Sequence, residues 1–191
     1  MAEKVCPVWV GYFLASPVRK LYQNPKKILG PYVKEGMKIL DIGCAMGFFS
    51  LPLAEMTGCN GRVICVDIQE KMIRSLEKRA QKAGLSDRIE TRLCKNNSLG
   101  LDDFKEEIDF ALASAVVHEV SDAPGFFSEI QKTIKPTGIF LVVEPKGRVS
   151  KKDFETTVSI AEQNGFEVID SPQVGRSRIV LLGKKTLKEN I

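Results

Sequence analysis

The chain has 191 residues, 43% hydrophobic and 27% charged, a size and balance that suit one domain with a full core. A formal charge of +4 is too small to point to nucleic acid by itself. Five scattered cysteines (Cys6, Cys44, Cys59, Cys65, Cys94), odd in number and without a C-x-x-C pair, indicate neither a disulfide framework nor a metal site; they fit reduced thiols in a cytoplasmic protein.

Near the start lies an apolar stretch, VCPVWVGYFLA at residues 5–15, broken by Pro7 and Gly11. It is too short to span a bilayer and does not have the form of a signal peptide. Trp9, Tyr12 and Phe13 gather three of the chain's fourteen aromatics there. The stretch reads as an apolar lid, with a membrane-surface contact or a dimer contact as its alternatives. Ser16-Pro17 and Asn24-Pro25 each look like an N-cap followed by proline at the first helical position, predicting short helices over 17–23 and 25–34.

The next segment, KILDIGCAMG at residues 38–47, is an apolar strand that reaches Asp41 and then turns through Gly43, Ala45 and Gly47. A helix ending near Gly58 follows, with Pro52 either in its first turn or kinking it. The run RVICVD (62–67) is a second strand with Asp67 at its tip. Gln69 to Gly84 is an amphipathic helix with Met72, Ile73, Leu76, Ala80 and Ala83 on one face. Strands are predicted at 89–94 and 108–114, then a helix carrying Phe126, Phe127, Ile130 and Ile134 that Pro136 closes. An apolar strand at 139–144 ends in Glu144. Phe154, Val158 and Ala161 mark a last helix, followed by strands at 166–169 and 178–182 with no helix between them.

This alternation predicts an α/β fold, a doubly wound, mostly parallel seven-stranded sheet closed by an antiparallel last strand. Residues 1–34 are expected to form the lid and short helices, 35–185 the main domain and 186–191 a lysine-bearing tail. The strand, small-residue turn, helix and acid-tipped strand make a nucleoside-binding unit, whose backbone N–H groups approach a ligand and whose second acid suits a ribose diol. A nicotinamide cofactor is disfavoured. In a G-x-G-x-x-G frame Ala45 takes the second glycine and Phe48 the third, where the pyrophosphate needs room.

With D-x-G-x-A-x-G at 41–47 and Asp67 at the second strand tip, the chain resembles the class I S-adenosylmethionine-dependent methyltransferases over roughly residues 30–185. The block from Ser114 to Pro145, with His118, the Lys135-Pro136-Thr137-Gly138 turn and Glu144, extends the resemblance. It implies S-adenosylmethionine as cofactor. The Gly43–Gly47 loop, with Cys44 and Ala45, would cradle its methionine part and Asp41 its amino group. Asp67 would hold the ribose hydroxyls, unless it only caps the helix after it, and Ile68 would pack on the adenine. Many members place an aspartate after the third strand; here Cys94-Lys95-Asn96 stands there, leaving the adenine amino group to Asn96, to backbone or to nothing. Ser114 and Ala115 would line the methyl-bearing end.

His118 is the one histidine in the chain and is a candidate base or acceptor-orienting donor, or else a wall residue. Glu119 would orient it or face solvent. Glu144 is the second candidate catalytic group, a contact to the acceptor or an acid paired with Lys146 or Arg148. The methyl would move by in-line displacement to a small, apolar acceptor, and the base matters only when that acceptor has a proton to lose. Ser114-Ala115-Val116-Val117 lacks the Asn/Asp-Pro-Pro-aromatic turn of amino-methylating enzymes that act on bases, so no nucleic-acid partner is expected. Two other readings stand beside this one: a non-catalytic nucleoside-binding sensor or partner subunit, and a thiol methyltransferase or an arsenite methyltransferase that holds the metalloid through Cys44 and Cys6.

Overall fold

The computed structural model describes residues 23–95, 98–172 and 175–185. The expected lid at 5–15, Cys6, the 17–23 helix apart from Gln23, Asn96 and the 186–191 tail lie outside the described residues. The chain divides after Lys95 into two compact units.

The first unit opens with α1 (Pro25–Leu29), whose cap Asn24 accepts from the Lys27 N–H at 3.3 Å. It stops short of the expected residue 34 because Pro31 has no N–H to continue the ladder. Strands β1 (Lys38–Ile42) and β2 (Arg62–Asp67) pair in parallel with Asp41 opposite Cys65. Between them, α2 (Ser50–Met56) holds Pro52 in its first turn, where an N–H would have no intrahelical partner. Helix α3 (Glu70–Ala83) buries Met72, Ile73, Leu76 and Ala80 and ends at Gly84 in the left-handed region (φ 68°). Ala83, expected on the buried face, is exposed. The chain reverses there, with the Leu85 N–H bonded to the Ala80 carbonyl, and Leu85 takes the buried place instead. Strand β3 (Ile89–Leu93) runs parallel to β2 with Leu93 opposite Asp67.

The second unit contains β4 (Ile108–Ser114), α4 (Ala123–Thr133), β5 (Ile134–Pro145), α5 (Lys151–Gln163), β6 (Phe166–Asp170) and β7 (Ser177–Lys184). Strands β4 and β5 are parallel, whereas β7 is antiparallel to both β5 and β6. The strands follow the order β3-β2-β1 in the first unit and β4-β5-β7-β6 in the second, so the last strand is inserted beside β5.

The predicted turn at Lys135–Gly138 is not a turn between elements. It lies within β5 as a bulge, because Ile134 pairs with Ile108 and Ile139 with Phe110. Pro136 therefore does not close α4, which already ends at Thr133. It is tolerated within a strand because the bulge removes the need for a ladder donor.

Phe126, Phe127, Phe140 and Phe166 pack edge-on and tilted in this unit, with ring centroids 5.4–6.5 Å apart. Phe140 touches all three others and is fully buried. Phe140→Ala is expected to cost about 3–5 kcal/mol through lost burial and the cavity left behind. Urea unfolding of the two proteins measures it as a lowered midpoint at unchanged slope.

Candidate functional site

Beyond the tip of β1 the chain passes through left-handed backbone at Gly43 (φ 66°), Ala45 (φ 47°) and Gly47 (φ 82°). Glycine adopts this region freely, whereas Ala45 is strained there. A Cβ on Gly47 would lie 2.4 Å from Leu76 Cδ1, so a side chain at 47 would have to displace Leu76 as well as adopt the left-handed backbone. The loop uses its own donors. The Gly43 and Cys44 N–H groups both donate to the Val66 carbonyl, at 2.8 and 3.1 Å, and the Gly47 N–H donates to the Cys44 carbonyl at 2.9 Å. The Ala45 N–H donates to Asp67 Oδ2 at 2.9 Å. Four N–H groups expected to face a ligand instead tie the loop to β2 and to itself. What the loop offers is a shape held in advance.

Asp67 is 7% exposed, and its second oxygen accepts from the Gln69 N–H at 2.8 Å. Gln69 itself is the cap residue of α3, so Asp67 joins loop, strand tip and helix start without being the helix cap. Burial raises its carboxyl above the ordinary range, while the backbone N–H bonds of Gln69, Ala45 and Ile68 pull the other way. Asp41 is buried still deeper, at 3% exposure, and accepts from Ser50 Oγ at 2.6 Å from the first turn of α2. Burial pushes its carboxyl up to about 7; the Ser50 hydroxyl opposes this and the nearby Asp67 adds to it. A carboxylate of this kind is poised for a cation, because a positive partner would supply what burial removed.

The resemblance also selected Cys44 and Ile68. Cys44 is buried, and burial together with Cys65 holds its thiol well above the ordinary range, so it stays protonated and unreactive. Ile68 is half-buried beyond Asp67. Among the described residues no cluster of three His, Cys, Asp or Glu side chains is placed to hold a metal ion.

In the second unit β4 ends at Ser114, and Ala115 follows in the left-handed region (φ 59°) with its N–H on the Val143 carbonyl at 2.8 Å. The Ser114 hydroxyl oxygen is buried and is the one side-chain polar atom of that kind without a hydrogen-bond partner among the described residues. A short 3-10 turn, Val117–Glu119, then presents His118. Its Nδ1 lies 2.7 Å from Glu144 Oε2 at the end of β5, and its backbone N–H points to the other oxygen at 3.4 Å. A carboxylate oxygen accepts, so Nδ1 carries the proton and Nε2 holds the free lone pair. The bond to Glu144 raises the imidazole above its ordinary value against the opposing effect of burial. The Glu144 side chain is 1% exposed, against 21% for His118. Glu144 is thus buried behind the imidazole, and no ion pair joins it to Lys146 or Arg148. Glu119 Oε1 stands 3.8 Å from Nε2, too far for a hydrogen bond.

Arg79 escaped the sequence reading. From α3 its Nη1 donates to the Met46 carbonyl in the glycine loop. The available signal was its place three residues after Leu76, on the same helix face.

Residues 33–178 match the methyltransferase domain family. The chain is 30% identical over 140 residues to a ubiquinone biosynthesis O-methyltransferase of Rhizobium johnstonii, covering 73% of this chain and 52% of the relative. The corresponding enzyme of Rhodopseudomonas palustris is 27% identical over 140 residues, again 73% of this chain and 51% of the relative. The chain thus aligns with about half the length of these curated relatives. The crystal structure of a SAM-dependent methyltransferase from Aquifex aeolicus superposes with a TM-score of 0.83 at 25% identity, over 93% of this chain and 98% of that one.

The two buried hydroxyls should respond in opposite ways to removal. Ser50→Ala leaves Asp41 without its donor and is expected to cost about 1–3 kcal/mol, whereas Ser114→Ala removes an unpaired buried group and should raise stability by up to about 1 kcal/mol. Denaturant unfolding distinguishes them. Asp41 also predicts a pH dependence. Its folded value lies above its unfolded one, so its contribution is fully present below about pH 4 and is lost as pH rises through about 7. In Asp41→Asn that slope disappears, leaving the variant more stable than the parent above pH 7 by roughly 2–4 kcal/mol in ligand-free unfolding.

Proposed function

The chain belongs to the class I S-adenosylmethionine-dependent methyltransferases, and from that membership we propose that it transfers a methyl group to the hydroxyl oxygen of a small, apolar, quinol- or phenol-like acceptor. The observation that carries the oxygen acceptor is the His118–Glu144 pair at 2.7 Å. A sulfonium donor is already activated, so a buried carboxylate behind an imidazole is useful when the acceptor has a proton to surrender. The names of the curated relatives, O-methyltransferases of ubiquinone biosynthesis, favour the same class of acceptor.

The residues present suit the cofactor. In the first unit, two buried acids at strand tips beside a glycine loop suit a ligand with a diol and an ammonium. In this reading Asp67 takes the ribose hydroxyls, Asp41 the amino group and Ser114 the methyl-bearing end. When bound, S-adenosylmethionine supplies the methyl carbon on a positively charged sulfur. His118 Nε2 would accept the hydroxyl proton as the acceptor oxygen takes the methyl group by displacement at the sulfonium, and would later yield that proton to water. Glu144 keeps Nδ1–H in place and stabilises the imidazolium; it is a positioning residue.

The test is transfer of isotope-labelled methyl from the cofactor to a panel of quinols, phenols, thiols, amines and arsenite. Label on the hydroxyl acceptors is expected, with kcat/KM rising as pH passes the raised value of His118, since only the neutral imidazole can act as base. His118→Ala should reduce kcat by about 10²–10⁴. Glu144→Gln should move the pH limb downward as well as lower the plateau. Transfer confined to thiols or arsenite would overturn the acceptor assignment, and tight nucleoside binding with no turnover on any acceptor would favour the sensor.

A further inference from the structure

We propose that Arg79 is a positioning residue for the cofactor loop: by holding the Met46 carbonyl it fixes the plane of the Met46–Gly47 peptide, and with it the surface on which the nucleoside rests. The inference rests on the cofactor assignment above and adds a residue to it.

The geometry lies within the first unit. Leu76 and Arg79, three apart on α3, present one helix face to the loop. Leu76 is fully buried and occupies the space where a side chain at 47 would stand. Arg79, half-buried, donates Nη1–H to the Met46 carbonyl. At the opposite end of the same peptide unit the Gly47 N–H donates to the Cys44 carbonyl at 2.9 Å.

Both ends of one peptide are therefore held, one by the loop itself and one by a cation from a neighbouring helix. This matters because Gly47, at φ 82°, has more accessible backbone states than any other residue type, and Ala45 beside it is strained at φ 47°. Turning the 46–47 peptide over would aim the Met46 carbonyl toward the Cys44 carbonyl and set two acceptors face to face. A charge-assisted bond to the Met46 oxygen opposes that flip. An arginine on a helix surface ordinarily keeps its head in water. Here burial lowers its proton affinity instead, and the bond at the end of the stem serves the loop and not the helix.

Arg79→Leu, which keeps an apolar stem but has no donor, and Arg79→Lys, which restores a cationic donor, test this in the full chain. Amide hydrogen exchange across residues 43–48 is measured without ligand. Calorimetry then gives the affinities for S-adenosylmethionine and S-adenosylhomocysteine, and thermal unfolding gives the stability. Arg79→Leu should speed exchange at the Gly47 N–H and weaken both nucleosides by the same factor, about tenfold. Arg79→Lys should recover most of both losses.

Wild-type exchange and wild-type affinities in Arg79→Leu would overturn the proposal. So would losses that Arg79→Lys fails to restore and that follow the unfolding temperature alone. A parent protein that binds neither nucleoside would overturn the cofactor assignment instead, and faster exchange in Arg79→Leu would still establish the hold on the loop.

Discussion

A carboxylate removed from water must be met by donors, and Asp67 is met by backbone. One of its oxygens takes the Ala45 N–H and the other the Gln69 N–H, so a single side chain at the tip of β2 connects the glycine loop, the second strand and the start of α3. The left-handed positions in the loop follow from this arrangement. Ala45 meets Asp67 with its backbone in the left-handed region, and Gly43 and Gly47 carry the chain into and out of that strained residue. The same carboxylate adds to the electrostatic difficulty of Asp41, which lies deeper and has a hydroxyl as donor. Two acids kept from water and from each other's relief form a standing demand for positive charge. The fold carries that demand in the free protein and a cationic nucleoside can meet it.

The second unit uses a buried acid for a different end. Glu144 is as inaccessible as Asp41, yet its partner is a titrating ring and not a hydroxyl. The pair makes His118 a stronger base and dictates which nitrogen is free to act. The two units thus divide the chemistry: acids that call for a cation in one, an acid that tunes a base in the other.

Much of this was legible in the sequence because it is local. Asp41 and Asp67 sit at the ends of apolar runs, Gly84 ends a helix, and the residues of α3 repeat with helical spacing. What was hidden depends on contacts between distant positions. Glu144 and His118 are 26 residues apart, and nothing in either neighbourhood announces that they bond. Arg79 reads as one more charged residue of an amphipathic helix until its bond to the loop is seen. The N–H groups of the glycine loop suggested ligand contacts, since small residues look like open backbone; Val66, Cys44 and Asp67 had claimed them. Pro136 looked like the end of a helix because proline cannot continue one, and its place within a strand depends on a bulge that no local pattern shows.

That bulge has a role in aligning the strand. From Ile139 to Val143 strand β5 is continuously apolar, and such a run can pair with its neighbours in several registers with little to choose among them. The polar beginning of the strand removes the ambiguity. Gly138 fits where a Cβ would come within 2.7 Å of the Ile108 carbonyl, and Lys135 reaches Asp109 at 2.6 Å across the widened pairing. These contacts peg β5 against β4 at one end, and ten residues after Ile134 the peg determines what arrives at the other. With a slip of two residues, Val142 or Lys146 would stand where Glu144 now meets His118, and the imidazole would lose its partner although every apolar contact along the strand had a substitute. The alignment of the Glu144–His118 pair is thereby written in a lysine, a proline and a glycine at the far end of the strand.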